Sequence, residues 1–126
     1  AVISSTRNSA PLNSTVRKVA CGAAERVPLI FAKNLARFLD ELKQLGVWVY
    51  GTQPTAEKLI YQVDFTRSVA LVIGAEGAGM RRLVTDKCDE LLKLPMSGEM
   101  ASLNASVATG IGLFEAVRQR HMSKIP

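Results

Sequence analysis

Short apolar runs alternate with segments of helical period along the whole chain, and this alternation limits the fold more than any other feature. Val47–Tyr50, Ser68–Ile73 and Leu91–Leu94 read as strands, Val27–Ala32 as a buried strand, and Ala1–Ile3 as part of another. Asn13 or Ser14 can cap a helix through Val16, Val19 and Ala20 to about Ala24. Asn34 caps a second, in which Leu35, Phe38, Leu39, Leu42 and Leu45 recur at helical spacing until Gly46 ends it. Thr55 opens a short helical turn through Lys58 to Tyr61, and Met80 to about Cys88 fits a short helix. Leu103 to about His121 forms a long one, with Val107, Gly110, Ile111, Phe114 and Val117 on one side. Strands interleaved with helices need crossover connections, so the expected fold class is α/β, a mostly parallel sheet flanked by helices. At 126 residues, one domain over 1–126 is expected.

Composition adds three constraints. Aromatic residues make up only 6%, so the core is expected to rest mainly on Val, Leu, Ile, Ala and Met. Sixteen Lys and Arg against eleven Asp and Glu give a formal charge of +5, which favours an anionic partner, with nucleic acid the commonest kind. Cys21 and Cys88 stand far apart, and His121 is the sole histidine, so neither a disulfide framework nor a metal site is expected. No apolar run approaches the roughly 18 residues of a membrane span, and the cytoplasm is the expected compartment.

Two strand-to-helix loops carry the candidate chemistry. The first, Leu71-Val72-Ile73-Gly74-Ala75-Glu76-Gly77-Ala78-Gly79-Met80, falls at the carboxyl edge of the expected sheet, where open α/β folds bind ligands. Its glycines allow close backbone approach, but Arg82 stands where a dinucleotide fingerprint needs glycine, and no Lys-Ser or Lys-Thr pair follows for a P-loop. By itself this loop is equally a tight connection, with Glu76 a solvated side chain. The second, Leu94 through Ala108, is dense in small polar residues. Ser102 and Asn104 can cap the following helix, while Leu94, Met96 and Leu103 are apolar enough for core or for a flat purine and a thioether.

Taken together and in this order, Ile-Gly-Ala-Glu-Gly-x-Gly-Met and Leu-Pro-Met-x-Gly-x-x-x-Ser-Leu-Asn-x-Ser-Val-Ala resemble motifs 2 and 3 of the SpoU (TrmH-like) RNA ribose 2′-O-methyltransferase family. The similarity extends over Leu12–Glu25 and Phe114–Arg120, which look like the branch that modifies a guanosine in large-subunit ribosomal RNA. The resemblance implies a SPOUT fold with a C-terminal deep trefoil knot and S-adenosylmethionine held bent by three loops. By position, Gly74, Leu94 and Leu103 would contact that cofactor, with Met96 an added lining residue. Glu76, Ser102 and Asn104 match positions tied to catalysis or to active-site organisation. It further implies ribosomal RNA as partner and a homodimer through the knot region, with no membrane and no metal.

Arg17, Lys18, Arg81, Arg82, Arg118 and Arg120 are candidates for RNA phosphate contacts, although each reads equally well as a solvated surface charge. The family's motif 1, an Asn-Gly followed by an Arg on the first helix, has no counterpart here, since Arg7 and Arg17 stand in other contexts. The expectation is an N-terminally incomplete catalytic domain whose isolated chain lacks transferase activity. The competing expectations are a non-catalytic RNA-binding module, a transfer RNA methyltransferase, and a nucleotide-binding α/β domain that uses the Gly74 loop for a phosphate.

Overall fold

The computed structural model describes residues 1–5, 13–75, 79–98 and 103–124. By contacts the chain divides into two compact units, Ala1–Phe38 and Leu39–Pro126.

In the first unit, β1 (Val2–Ser5) and β2 (Leu29–Ala32) pair in parallel, Val2 opposite Leu29 and Ser5 opposite Ala32. Asn13, not Ser14, caps α1 (Ser14–Val19), its Oδ1 accepting from the Val16 N–H at 3.0 Å. The expected continuation to Ala24 does not occur. Cys21 and Gly22 take left-handed φ values of 51° and 84°, which break the helix before a single 3₁₀ turn at Ala23–Glu25. Nor is β2 the buried strand expected: Ile30 is 40% and Phe31 52% exposed, and only Ala32 is fully covered. A two-stranded ladder covers little of its own faces.

Helix α2 (Leu35–Gln44) starts in the first unit, where the Asn34 side chain accepts from the Arg37 N–H at 3.0 Å, and runs into the second. Gly46 follows it with φ 83°.

The second unit is built on four strands, β3 (Trp48–Thr52), β4 (Lys58–Leu59), β5 (Val69–Val72) and β6 (Glu90–Lys93), in the order β4-β6-β3-β5. Every ladder is parallel, as the alternating pattern predicts. The turn expected from Thr55 to Tyr61 is instead β4 and then one 3₁₀ turn at Ile60–Gln62. Lys58 bridges to Glu90 on β6 at 2.9 Å, and the Leu59 N–H donates to Gln62 Oε1 at 2.8 Å, so an extended pair and one closed turn replace a helix. Strand β3 also continues through Gly51. A Cβ there would stand 2.6 Å from Cys88 Sγ, so glycine serves close packing rather than strand termination.

Among the described residues the core is mainly aliphatic, as expected, but its two largest members are aromatic. Tyr50 and Phe65 are its largest fully buried side chains, with ring centroids 5.1 Å apart, and Ile60, Leu92 and Ala116 pack with them. The Tyr50 hydroxyl donates to the Asp64 carbonyl at 3.0 Å, which satisfies its polar atom.

Helix α3 (Arg82–Lys87) precedes β6, and α4 (Ala105–Met122) closes the unit. The buried positions of α4 are Ala108, Gly112, Glu115 and Ala116, while Val107, Phe114 and Val117 are exposed. Small residues face inward because the helix lies close to β5: a Cβ on Gly112 would stand 2.4 Å from Leu71 Cδ2. The far end of α4 is fastened to the segment before β5. Gln119 donates to the Val63 carbonyl and accepts from the Phe65 N–H, while Arg120 donates to the carbonyls of Phe65 and Arg67. The expected knot depends on the passage from β6 to α4, of which residues 99–102 lie outside the described residues.

Candidate functional site

Parallel strands bring their carboxyl ends to one edge of a sheet, and the loops leaving that edge are the natural place for a ligand. Here the register sets Gly51 of β3 opposite Val72 of β5, and Thr52 opposite Leu92 of β6. Thr52 Oγ1 also donates to the Val72 carbonyl at 3.2 Å, tying two strand ends together. Three loops therefore leave side by side: 52–55 after β3, 73–80 after β5, and 94–98 after β6.

The loop after β5 is pinned at its base. Ala75 and Gly79 exchange backbone hydrogen bonds of 3.1 and 2.8 Å, and Gly79 takes φ 69°. Glycine is required at 74 by the same closure, since a Cβ there would stand 2.7 Å from the Gly79 carbonyl carbon and 2.8 Å from the Met80 nitrogen. On the facing side, Asn104 caps α4: its Oδ1 accepts from the Ser106 N–H at 2.8 Å and from the Ser106 hydroxyl at 2.5 Å. The cap fixes the start of α4, where Leu103, Ala105 and Ala108 face the strand-end loops.

Between them lies a cavity of about 560 Å³. Its wall is formed by Thr52–Thr55, by Ile73, Gly74, Ala75, Gly79 and Met80, by Arg82 and Thr85 of α3, by Leu92–Leu94 and Met96, and by the start of α4. Gly74, Leu94, Met96 and Leu103, the residues assigned to a cofactor from the sequence, all line this one cavity. Glu76 and Ser102 lie outside the described residues, and Asn104 sits between two lining residues as an exposed helix cap.

The basic candidates separate. Arg82 lines the cavity, and Arg81 beside it is exposed. In α1, Arg17 is ion-paired with Glu25, while Lys18 is exposed. Arg118 is ion-paired with Glu115, and Arg120 donates to the backbone carbonyls of Phe65 and Arg67.

Two lining features were missed in the sequence. The 52–55 loop carries no glycine signature, and its only signal is a position after a strand that ends on the shared edge. Lys93 reads as an ordinary strand terminus until the cavity is seen. Arg82 and Lys93 are the charged residues among the described lining.

At Cys88, the C-cap of α3, the thiolate is disfavoured at neutral pH. Burial first, and the Asp89 charge second, push its thiol up to about 11. Among the described residues, no group of three His, Cys, Asp or Glu is placed to hold a metal ion.

The SpoU rRNA Methylase family profile matches residues 1–114, a span that crosses both units. The chain is 56% identical over 124 residues to the 23S rRNA (guanosine-2'-O-)-methyltransferase RlmB of Pseudomonas putida, covering 98% of this chain and 50% of that protein. To the protein of the same name from Escherichia coli it is 57% identical over 120 residues, 95% of this chain and 49% of that one. The chain thus spans about half the length of the curated relatives it matches. Among solved structures, the SpoU methyltransferase AviRb from Streptomyces viridochromogenes, in complex with AdoMet, superposes with a TM-score of 0.87 at 26% identity, over 95% of this chain and 49% of that one. The A. aeolicus TrmH/SpoU tRNA modifying enzyme gives 0.84 at 30% identity, over 97% and 63%.

Proposed function

The chain belongs to the SpoU rRNA methylase family, and from that premise we propose that it serves S-adenosylmethionine-dependent methylation of a guanosine ribose 2′-oxygen in large-subunit (23S-type) ribosomal RNA. The single observation that carries this reading is the convergence of Gly74, Leu94, Met96 and Leu103 on one cavity at the carboxyl edge of the sheet.

The residues present fit the cofactor. A cavity of about 560 Å³ has the size of a small-molecule site, and apolar Ile73, Leu94, Met96 and Leu103 suit a purine. The tight Gly74 turn brings main chain rather than side chain to the wall, which suits recognition by backbone groups. When bound, the cofactor supplies an electrophilic methyl group on a sulfonium sulfur.

The protein's part is to hold the acceptor ribose in line with that methyl group and to keep water out, and alignment supplies much of the rate. Glu76, Ser102 and Asn104 are assigned to organising the loops around the ribose; the Asn104 cap, which fixes the start of α4, supports this for one of them. Arg81 and Arg82 beside the cavity, with Arg17 and Lys18 of α1, are assigned to RNA phosphates. The exposed apolar residues of α4, Val107, Phe114 and Val117, support self-association as a homodimer. A C-terminal knot and a cytoplasmic location complete the reading. Among the described residues, no helix is long and apolar enough to cross a membrane.

The test is methyl transfer by the native gene product from methyl-labelled S-adenosylmethionine to large-subunit ribosomal RNA, with transfer RNA in parallel. Label on a guanosine 2′-oxygen of the ribosomal substrate is expected. Label only on transfer RNA overturns the substrate, and RNA binding without transfer overturns the enzyme reading.

A further inference from the structure

Gly51 is buried in β3, opposite Val72 of β5 on one side and Leu91 of β6 on the other. A Cβ built on it meets three side-chain atoms: Cys88 Sγ at 2.6 Å, Met80 Cε at 2.9 Å and Leu91 Cδ2 at 3.0 Å. No positive φ requires glycine here, so what the residue supplies is room. The thioether methyl of Met80 occupies part of that room.

Met80 is also a wall residue of the cavity, and a second glycine crowds its main chain. The Met80 nitrogen lies 2.8 Å from where a Cβ on Gly74 would stand. The backbone of Met80 is thus set by the closed turn after β5, while its side chain reaches back to β3 and the Cys88 thiol. Methionine has three rotatable side-chain bonds and fills whatever gap is offered, so the slot over Gly51 selects one of its conformers. With that slot filled, the methyl must turn elsewhere. Cys88 and Leu91 already pack against the slot, and the cavity is the open space beside Met80.

We propose that Gly51 is a positioning residue for cofactor binding: the slot it leaves draws the Met80 methyl out of the space the cofactor takes. The inference rests on the cofactor reading and adds to it the residue that sets the room in the cavity at Met80.

The test is a double-mutant cycle on the native gene product carrying Cys88→Ala, which removes the nearest of the three atoms. Calorimetric affinity for S-adenosylhomocysteine is measured on that chain and on the same chain with Gly51→Ala, Met80→Ala or both. Gly51→Ala is expected to weaken binding roughly tenfold, and Met80→Ala by about threefold or less. With Met80→Ala already present, Gly51→Ala should cost less than about twofold more, because the methyl it displaces is gone. Simple distortion of β3 would cost the same with or without Met80. That result, or no loss in Gly51→Ala, overturns the inference. A second readout needs no change at Gly51. With methyl-labelled methionine in the unmodified protein, a nuclear Overhauser contact between the Met80 methyl and the Gly51 α-protons is expected to persist on saturation with S-adenosylhomocysteine. Its absence from the bound protein overturns the inference even where Gly51→Ala fails to fold. Failure of the unmodified protein to bind S-adenosylhomocysteine overturns the cofactor reading and this inference with it.

Discussion

Glu115 and Arg118 are joined side by side on helix α4 by two hydrogen bonds of 2.8 Å, Nε to Oε2 and Nη2 to Oε1. Glu115 is the buried member, and it also accepts from Gln119 at 2.8 Å. That places a charged network where α4 is fastened to the segment before β5. The Arg118 hydrogen bond holds the Glu115 carboxyl below its ordinary 4.5; burial opposes this, and the Gln119 bond reinforces it.

A carboxyl whose folded pKa is depressed contributes stability that is complete above its unfolded value and is lost as pH falls through the folded value. Glu115→Gln is therefore expected to be less stable than the unmodified protein at neutral pH, by about 1–3 kcal/mol. The gap should stay constant at pH values above the ordinary 4.5 and close as pH falls below it. Urea unfolding of both proteins across that range checks it. A gap that widens on acidification would show that the ion pair does not hold the helix.

Two glycines of α4 should respond oppositely. Nothing lies within 4 Å of a Cβ built on Gly110, whereas one on Gly112 meets Leu71 Cδ2 at 2.4 Å. Gly110→Ala is expected to stabilise the protein by about 0.5–1 kcal/mol through helix propensity. Gly112→Val should destabilise it by about 1–3 kcal/mol through overpacking against β5. Thermal or denaturant unfolding separates the two.

The two thiols should also differ. Cys21 is exposed, while Cys88 is partly buried and its pKa is raised to about 11. At about pH 8 an aromatic disulfide reagent should modify one thiol quickly and the other only slowly, and Cys21→Ser should remove the fast phase. A fast phase retained in Cys21→Ser would contradict the packing assigned to Cys88.

If Arg82 meets an RNA phosphate, Arg82→Gln should weaken RNA binding with little change in base preference. The slope of log affinity against log salt should fall by about one. An unchanged slope would remove Arg82 from the interface.

Much of this was legible in the residues. The alternation of apolar runs with helical segments gave parallel strands, and Asn34, Gly46 and Asn104 marked real helix ends because their side chains or φ angles satisfy specific backbone needs. The face of α4 was not legible. Its apolar residues lie all around, and the inward side was chosen by how closely the helix approaches Leu71, a tertiary distance that favours Ala108, Gly112 and Ala116 over larger neighbours. The segment at Lys58–Gln62 was misread for a related reason: pairing with β6 outweighs a local helical tendency. Within the site, residue pattern alone left each loop ambiguous, and the pairing of the Gly74 turn with Leu103 came from the resemblance to a family. The 52–55 loop emerged only once β3 was placed between β5 and β6.

The most direct measurement is calorimetric titration of the protein with S-adenosylmethionine, beside S-adenosylhomocysteine, NAD and ATP, repeated with Gly74→Ala. Saturable binding of the two adenosyl-sulfur ligands is expected, with neither NAD nor ATP bound. The added methyl group, which the Gly79 and Met80 backbone cannot accommodate without opening the loop, should weaken that binding by roughly tenfold or more. No heat with either adenosyl ligand, or equal affinity in Gly74→Ala, would contradict a cofactor site between the strand-end loops and the start of α4.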